Sequence, residues 1–399
     1  MITGDSGLTL SRWKNGYFAL FVLWLSYIVQ YLNRRNISIT LTTLIKELGI
    51  NYSQAGFLIT FFFVAYALMQ IPSGWLSDRL GGKKVVVMGS VITAVSSYLS
   101  GVFSTYLPLL ISRLTCGVGQ GMAWPSSSKI VQERFSRERR GLAMGVLVTA
   151  TSLGGFLALI SSSLILKSLD WRQTFYIPAL IMVITTICLI VFIRDAHQSN
   201  PHYEGSKVKT LEIVKNPAIL KFVIAYFCWK YAFEGTFYWI PTFFLVEFNT
   251  PVMETGFLVG LALLTGLVSM PLGGVISDKL RNRELIIVVS LFTPGLCLLS
   301  LLFTQDFYLI VAAMLLIGFL ATLSEGVFFV MPAEIFGAEV SGVGTGIINT
   351  GGSLGTIAAP ILVGLLLDAY SSFSLVFLMF GLVSLAGGFL VLFGPKVKE

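Results

Sequence analysis

The chain has 399 residues, 55% of them hydrophobic and 12% charged, with a formal net charge of +7. Soluble domains carry about 25% charged residues, so the composition excludes a water-soluble globular protein and calls for a bilayer around most of the chain. The excess of lysine and arginine does not point to nucleic acid, because it is concentrated in alternate connections between apolar runs.

The polar start, residues 1–15, leads into a full-length apolar run without a small-residue cleavage site, so no cleavable leader is predicted. A membrane helix needs about 20 residues to cross the hydrocarbon. Apolar runs and their polar breaks predict twelve such helices, near 16–40, 54–76, 84–104, 107–133, 141–166, 171–193, 217–246, 255–277, 285–304, 307–334, 340–368 and 373–394. Basic residues gather at Arg12 and Lys14, at Arg79, Lys83 and Lys84, between Arg134 and Arg140, between Arg194 and Lys221, at Lys279, Arg281 and Arg283, and at Lys396 and Lys398. The intervening connections offer little beyond Lys46, Lys167 and Arg172. That alternation predicts a multi-pass protein of the cell inner (plasma) membrane with both termini cytoplasmic, and the short loops suit a prokaryote.

The longest polar stretch, 194–215, predicts a division into residues 1–193, a cytoplasmic linker 194–216, and residues 217–399. The two parts repeat. Gly74 and Asp78 recur 200 residues later as Gly274 and Asp278, and Gly141, Gly145, Ser152, Leu153 and Gly154 recur 201 residues later as Gly342, Gly346, Ser353, Leu354 and Gly355. An ordered set at nearly one offset indicates duplication, and duplicated halves with a site between them are the architecture of rocking transporters.

The loop after helix two runs from Gly74 through Asp78, Arg79, Gly81 and Gly82 to Lys83 and Lys84, with a degenerate copy at Gly274, Asp278 and Lys279. Physically, glycines permit tight turns and close helix approach, and Asp78 can accept from N–H groups at a neighbouring helix end. This stretch resembles the loop signature of the major facilitator superfamily. The resemblance implies an all-α membrane protein of two pseudo-symmetric six-helix bundles, and a gate at Gly74, Asp78, Arg79 and Asp278.

Helix one ends Tyr31-Leu-Asn-Arg34-Arg35-Asn36-Ile-Ser38, and helix four carries Arg113, then Gly117, Gln120, Gly121, Trp124 and Pro125. Together these resemble the organophosphate:phosphate antiporters and the related anion:cation symporters of sugar acids. In the later half the likeness is only at superfamily level, with Trp239 and Pro241 its best local match. The resemblance puts Arg34 where those antiporters grip an anionic group, and Arg35 where a second basic residue often stands. Tyr27, Tyr31, Arg34 and Ser38 share one helical face. An arginine inside the bilayer costs at least about 2.5–3.5 kcal/mol and faces a cavity or a partner; the alternative is that both arginines snorkel at the end of helix one.

Departures from the pattern matter as much. No arginine stands in helix seven, where the aligned position is Phe233; Lys230, one turn earlier, either replaces it or forms a structural i,i+4 pair with Glu234. The antiporters' helix-two lysine and helix-five histidine align with Gln70 and Thr151. The symporters' acids align with Asn33 and Gln120, neither of which titrates. The remaining intramembrane acids, Glu234 and Glu325, are the candidates for a coupling proton, a hydrogen bond to a helix end being the other reading of Glu325. Arg113 resembles a family arginine packed within the first half, structural or coupling. Trp124 is a candidate cavity residue, and Asn349 on the helix-eleven face offers hydrogen bonds to a polar solute or to a packed neighbour. Lys129 snorkels.

The four cysteines lie inside apolar runs without ligand spacing. His197 and His202 stand in the linker with no nucleophile near them, and no phosphate-cradling loop is present. No catalysis, cofactor or metal is expected. The predicted function is secondary active transport of a small organic anion (an organophosphate, a sugar acid or a carboxylate), as a monomer, with a proton, sodium ion or counter-anion as the coupled species. A membrane sensor for a sugar phosphate and a proton-coupled exporter of hydrophobic or cationic compounds are the alternatives.

Overall fold

The computed structural model describes residues 6–193, 216–336 and 341–395. The predicted linker therefore lies outside the described residues apart from Asn216, as do His197 and His202. All regular structure among the described residues is helical, in the order α1 (Ser6–Leu48), α2 (Tyr52–Leu80), α3 (Gly82–Val102), α4 (Tyr106–Gly121), α5 (Ala123–Arg134), α6 (Arg137–Ser168), α7 (Gln173–Phe192), α8 (Pro217–Glu247), α9 (Val252–Leu264), α10 (Gly266–Leu280), α11 (Arg283–Ser300), α12 (Phe307–Thr322), α13 (Glu325–Phe328), α14 (Met331–Phe336), α15 (Ser341–Tyr370) and α16 (Phe373–Phe393). Spans four, eight and ten are broken, into α4–α5, α9–α10 and α12–α14, which makes twelve crossings. Ten of these are long and apolar enough to cross a membrane by length and composition. The other two are span four, with Arg113 and Lys129, and α8, with Lys221, Lys230 and Glu234.

The repeat keeps its register to within one residue. Span two begins at Tyr52 and span eight at Val252, and α7 begins at Gln173 and α16 at Phe373, each pair 200 residues apart. The repeated glycines pack alike. A side chain at Gly154 would strike Tyr31 on α1, and one at Gly355 would strike Phe227 and Tyr231 on α8. Where the halves meet on the axis, residues touch their own counterparts: Thr42 Oγ1 lies 3.4 Å from Thr242 Oγ1.

Helix one departs from its predicted span. It continues as one helix through Asn33, Arg34, Arg35 and Asn36 to Leu48. Arg34 thus stands about 27 Å beyond Gly16 and about 21 Å short of Leu48 at 1.5 Å per residue. Both arginines are mid-span and buried, so neither snorkels.

Prolines open the helices, and neighbouring helices answer. A proline cannot donate to the carbonyl four residues back, and in a bilayer that carbonyl must find another donor. Pro125 releases Gly121 O, which accepts Ser73 Oγ at 3.2 Å. Pro178 releases Thr174 O, which accepts Asn36 Nδ2 at 2.8 Å. Pro241 releases Phe237 O, which accepts Ser38 Oγ from the other half at 3.1 Å.

The two membrane faces of the molecule differ. At the face carrying residues 49–51 and 371–372 the halves are pressed together: a side chain at Gly56 would strike the Pro360 carbonyl, one at Gly364 the Tyr52 carbonyl, and one at Gly256 Ser163. At the opposite face, which carries Asp78 and Asp278, no described atom of another helix lies within 4 Å of where a Cβ would stand at Gly74, Gly274, Gly141, Gly145 or Gly346. The halves are closed at one face and parted at the other.

Candidate functional site

The site lies midway along α1 and has two sides. On the first, α4 is drawn onto α2 at Gly117, where any side chain would enter the Phe62 carbonyl. That contact sets Phe62 and Tyr66, one turn apart on α2 and stacked at 6.3 Å, beneath Arg34. The Arg34 guanidinium sits 4.5 Å from the Tyr31 ring and 4.6 Å from the Tyr66 ring. Its Nε donates to Gln120 Oε1 at 3.0 Å, and Gln120 Nε2 in turn donates to Gln30 O at 3.0 Å. Among the described residues no carboxylate is in ion-pair range of Arg34, and its buried Nη2 has no acceptor. Cation–π contacts and a neutral amide hold the charge without neutralising it.

On the second side four charges alternate. Arg35 Nη2 donates to Glu234 Oε2 at 2.5 Å, Lys230 Nζ lies 3.4 Å from Glu234, and the same Nζ lies 3.2 Å from Glu325 Oε1. The chain is formally neutral. Its side-chain exposure rises from 5% at Arg35 through 12% at Glu234 and 17% at Lys230 to 23% at Glu325, so burial is deepest at the Arg35–Glu234 link between the halves. Arg35 also stacks on Tyr238 at 4.3 Å, and Lys230 on Trp229 at 4.7 Å. Helical spacing puts Lys230 beside Glu234; the break after Thr322 turns Glu325 toward them. Tyr31 joins the two sides, standing within electrostatic reach of Arg34, Glu234 and Lys230.

The other predicted residues distribute as follows. Asn349 Nδ2 donates to Gln70 Oε1 at 3.3 Å, linking α15 to α2 across the halves. Trp124 packs on Tyr27 at 5.4 Å, and Tyr27 in turn on Tyr31 at 5.7 Å. Arg113 is buried within the first half, donating to Asn33 O at 3.1 Å beneath the Phe62 ring. The loop residues lie apart from this cluster, at the parted face. There Asp78 accepts from Lys129 Nζ at 2.8 Å rather than from helix-end N–H groups, so Lys129 is engaged and does not merely snorkel. Arg79 stacks on Trp75 at 3.9 Å, and Asp278 pairs with Arg283 at 3.1 Å. Gly74 makes no close approach; the tight turn falls on Gly81, whose φ is 89°. Its counterpart in the second half, Arg281, adopts φ 51° without being glycine.

Sequence reasoning did not find Tyr66, Gln30 or Asp368. Phe62, Tyr66 and Gln70 repeat every four residues, a spacing that would have revealed a polar-aromatic stripe facing Arg34. Gln30 contributes only its backbone carbonyl, which carries no residue signal. Asp368 contacts residues more than 300 positions away, and nothing local marks it.

Comparison with known proteins fits this geometry. The family model described as Major Facilitator Superfamily matches residues 23–355 and again 285–399. A probable sulfoacetate transporter, SauU, of Cupriavidus necator is 25% identical, over 96% of this chain and 94% of its own. Probable anion transporter 5 of Arabidopsis thaliana is 25% identical, over 91% and 90%. The probable galactarate/D-glucarate transporter GudP of Escherichia coli is 24% identical, over 90% and 88%. Among solved structures, a bacterial homologue of the human lysosomal transporter Spinster, inward-facing and occupied, has the same fold at a TM-score of 0.78 and 14% identity, over 94% of each chain.

Proposed function

This chain belongs to the Major Facilitator Superfamily, and we propose that it is a secondary active transporter carrying a small organic anion across the cell membrane by alternating access. The observation that carries this reading is Arg34: a mid-membrane cation without a carboxylate partner among the described residues, stacked between two tyrosines, with one buried donor unspent. Such a charge costs at least about 2.5–3.5 kcal/mol in the bilayer, and an incoming carboxylate or sulfonate recovers that cost through charge-assisted hydrogen bonds. The names of the relatives point the same way, since sulfoacetate, galactarate and glucarate are all small organic acids.

In this reading Arg34 binds the anionic group and Gln120 orients it. Tyr31, Trp124 and Asn349 line the path of the solute, while Arg35 and Lys230 supply further positive charge. Glu234, Glu325 and Arg113 link binding to the conformational change, and Gly74, Asp78, Arg79 and Asp278 gate the parted face. The chain divides at 194–216, and the basic residues around Asp78 and Asp278 make the parted face cytoplasmic. The conformation is then inward-open, with the outer face sealed.

The test is counterflow in proteoliposomes with labelled sulfoacetate, D-glucarate, gluconate, glycerol-3-phosphate and hexose phosphates, with Arg34→Ala beside the wild type. One class is expected to exchange, and the variant to lose that exchange. Failure of every anion, or unchanged exchange in the variant, removes the anion assignment.

A further inference from the structure

We propose that the solute carries a single negative charge, and that Glu325, with Glu234, sets that limit by holding the place at Lys230 that a second anionic group would take. The inference rests on the anion-transport reading above and specifies the charge class of the solute. Charge is unevenly shared around Tyr31, which stands within electrostatic reach of Arg34, Glu234 and Lys230. Three cations, Arg34, Arg35 and Lys230, face two acids, Glu234 and Glu325, and both acids are paired with Arg35 and Lys230. One positive charge is left over. It belongs to Arg34, whose buried Nη2 has no acceptor. Arg113 adds nothing a solute can touch, being 1% exposed and donating to the Asn33 carbonyl inside the first half.

The far side of Tyr31 is therefore an accepting surface, although two cations stand in it. Lys230 Nζ lies 3.2 Å from Glu325 Oε1 and 3.4 Å from Glu234, and Trp229 covers it at 4.7 Å. Arg35 is held by Glu234 at 2.5 Å and stacks on Tyr238 at 4.3 Å. Glu325 is the most exposed of the four, so a solute reaching across from Arg34 meets a carboxylate there. A carboxylate paired with an ammonium has only accepting oxygens. A hydroxyl on the solute donates to it. A second anionic group is repelled by it, in surroundings of low dielectric where such repulsion is strong.

A second anionic group reaches Lys230 only by displacing Glu325. The displaced carboxylate is then a partly buried charge without a counter-ion, and breaking a buried pair in that way is strongly unfavourable. The new pair returns no more than the old one gave, because one carboxylate has replaced another on the same ammonium. The second charge of a dianion thus enters the membrane uncompensated, whereas the first is met at Arg34 by charge-assisted hydrogen bonds. Selection here works through a repulsive element as well as an attractive one. The protein supplies its own anionic groups to Lys230 and Arg35, from α13 and α8, and leaves Arg34 alone for the solute.

The experiment measures counterflow in proteoliposomes at neutral pH with two labelled pairs: gluconate against D-glucarate, and hydroxyethanesulfonate against sulfoacetate. Within each pair a hydroxymethyl group is exchanged for a carboxylate, which is ionised at that pH. Wild type is expected to exchange the monoanion of at least one pair about tenfold or more faster than its dianion. Glu325→Gln leaves Lys230 short of one counter-charge and is expected to shift that ratio toward the dianion by about tenfold or more. Adding Lys230→Gln removes the freed charge and is expected to bring the ratio back to within about threefold of wild type. A purely structural role for Glu325 would lower both rates and leave the ratio unmoved. The proposal is overturned by a wild type that exchanges a dianion as fast as its matched monoanion. It is equally overturned by a folded Glu325→Gln that keeps the wild-type ratio, or by a double variant that still favours the dianion. Should Glu325→Gln fail to insert, the wild-type ratio and the double variant decide. Exchange of the dianions leaves the anion-transport reading standing and removes the single-charge rule; silence of all four solutes removes both.

Discussion

Asp368, at the end of α15, accepts both the backbone N–H of Ser53, at 2.8 Å, and the Ser53 hydroxyl. Its other oxygen takes the N–H of Tyr52 at 2.9 Å. A carboxylate from one half thus caps the first turn of α2 in the other, where unpaired N–H groups and the helix dipole favour negative charge. This latch lies at the closed face and has no like among the described residues of the parted one, where Asp78 pairs with Lys129 and Asp278 with Arg283, each within its own half.

Asp368→Asn weakens the latch by replacing one of its two accepting oxygens with an NH2 group, which cannot accept from an N–H. The closed face is expected to lose about 1 kcal/mol, a shift of roughly fivefold toward opening. The readout is faster labelling of Thr42→Cys by a membrane-impermeant thiol reagent applied from that side. Unchanged labelling would mean that the latch follows closure and does not stabilise it.

Gly56 admits the Pro360 carbonyl where any side chain would stand. Gly56→Leu is expected to wedge the halves apart there and to cut exchange by about tenfold or more, while leaving the protein inserted and folded. Oxidative cross-linking of Thr42→Cys to Thr242→Cys should disappear in the same variant.

Glu234 compensates two cations, Arg35 and Lys230. Breaking a buried pair by removing one partner costs about 3–5 kcal/mol, so Glu234→Gln should lower the melting temperature in detergent clearly. Adding Lys230→Gln removes one of the stranded charges and should restore part of the loss.

Ser38 and Pro241 act as one unit through the Phe237 carbonyl. Ser38→Ala strands that carbonyl; Pro241→Ala returns it to its own helix. A double-mutant cycle on melting should show coupling of about 1 kcal/mol, and simple additivity would separate the two residues.

What the sequence disclosed was the chemistry that sits at its own position. Arg34 and Gln120 were readable because a buried cation and an amide are costly wherever they fall, and the 200-residue offset was readable because glycines and aspartates recur in order. Helix one was predicted short because four polar residues in a row resemble a helix end. They are tolerated because Asn33 and Asn36 donate to carbonyls on α7, and Arg35 to Glu234 on α8. Contacts that exist only after folding had no local trace. Asp368 is an ordinary acid near a loop until Ser53 arrives, and Asp78 could not be assigned to Lys129 rather than to a helix end before the state of that face was known.

The carbonyl released by Pro241 has a kinetic consequence. When the closed face opens, the Ser38 hydroxyl leaves Phe237 O and Tyr238 O, both of which accept it at 3.1 Å. Position 241 has no N–H with which α8 could recover the Phe237 carbonyl, and lipid offers no donor. Parting the halves is therefore a wetting event: water must enter the seam as the bonds break, and must be expelled when they reform. The barrier between the two states is then set partly by hydration rather than by the solute. Osmolytes that lower water activity should slow the opening of that face even when no substrate is present.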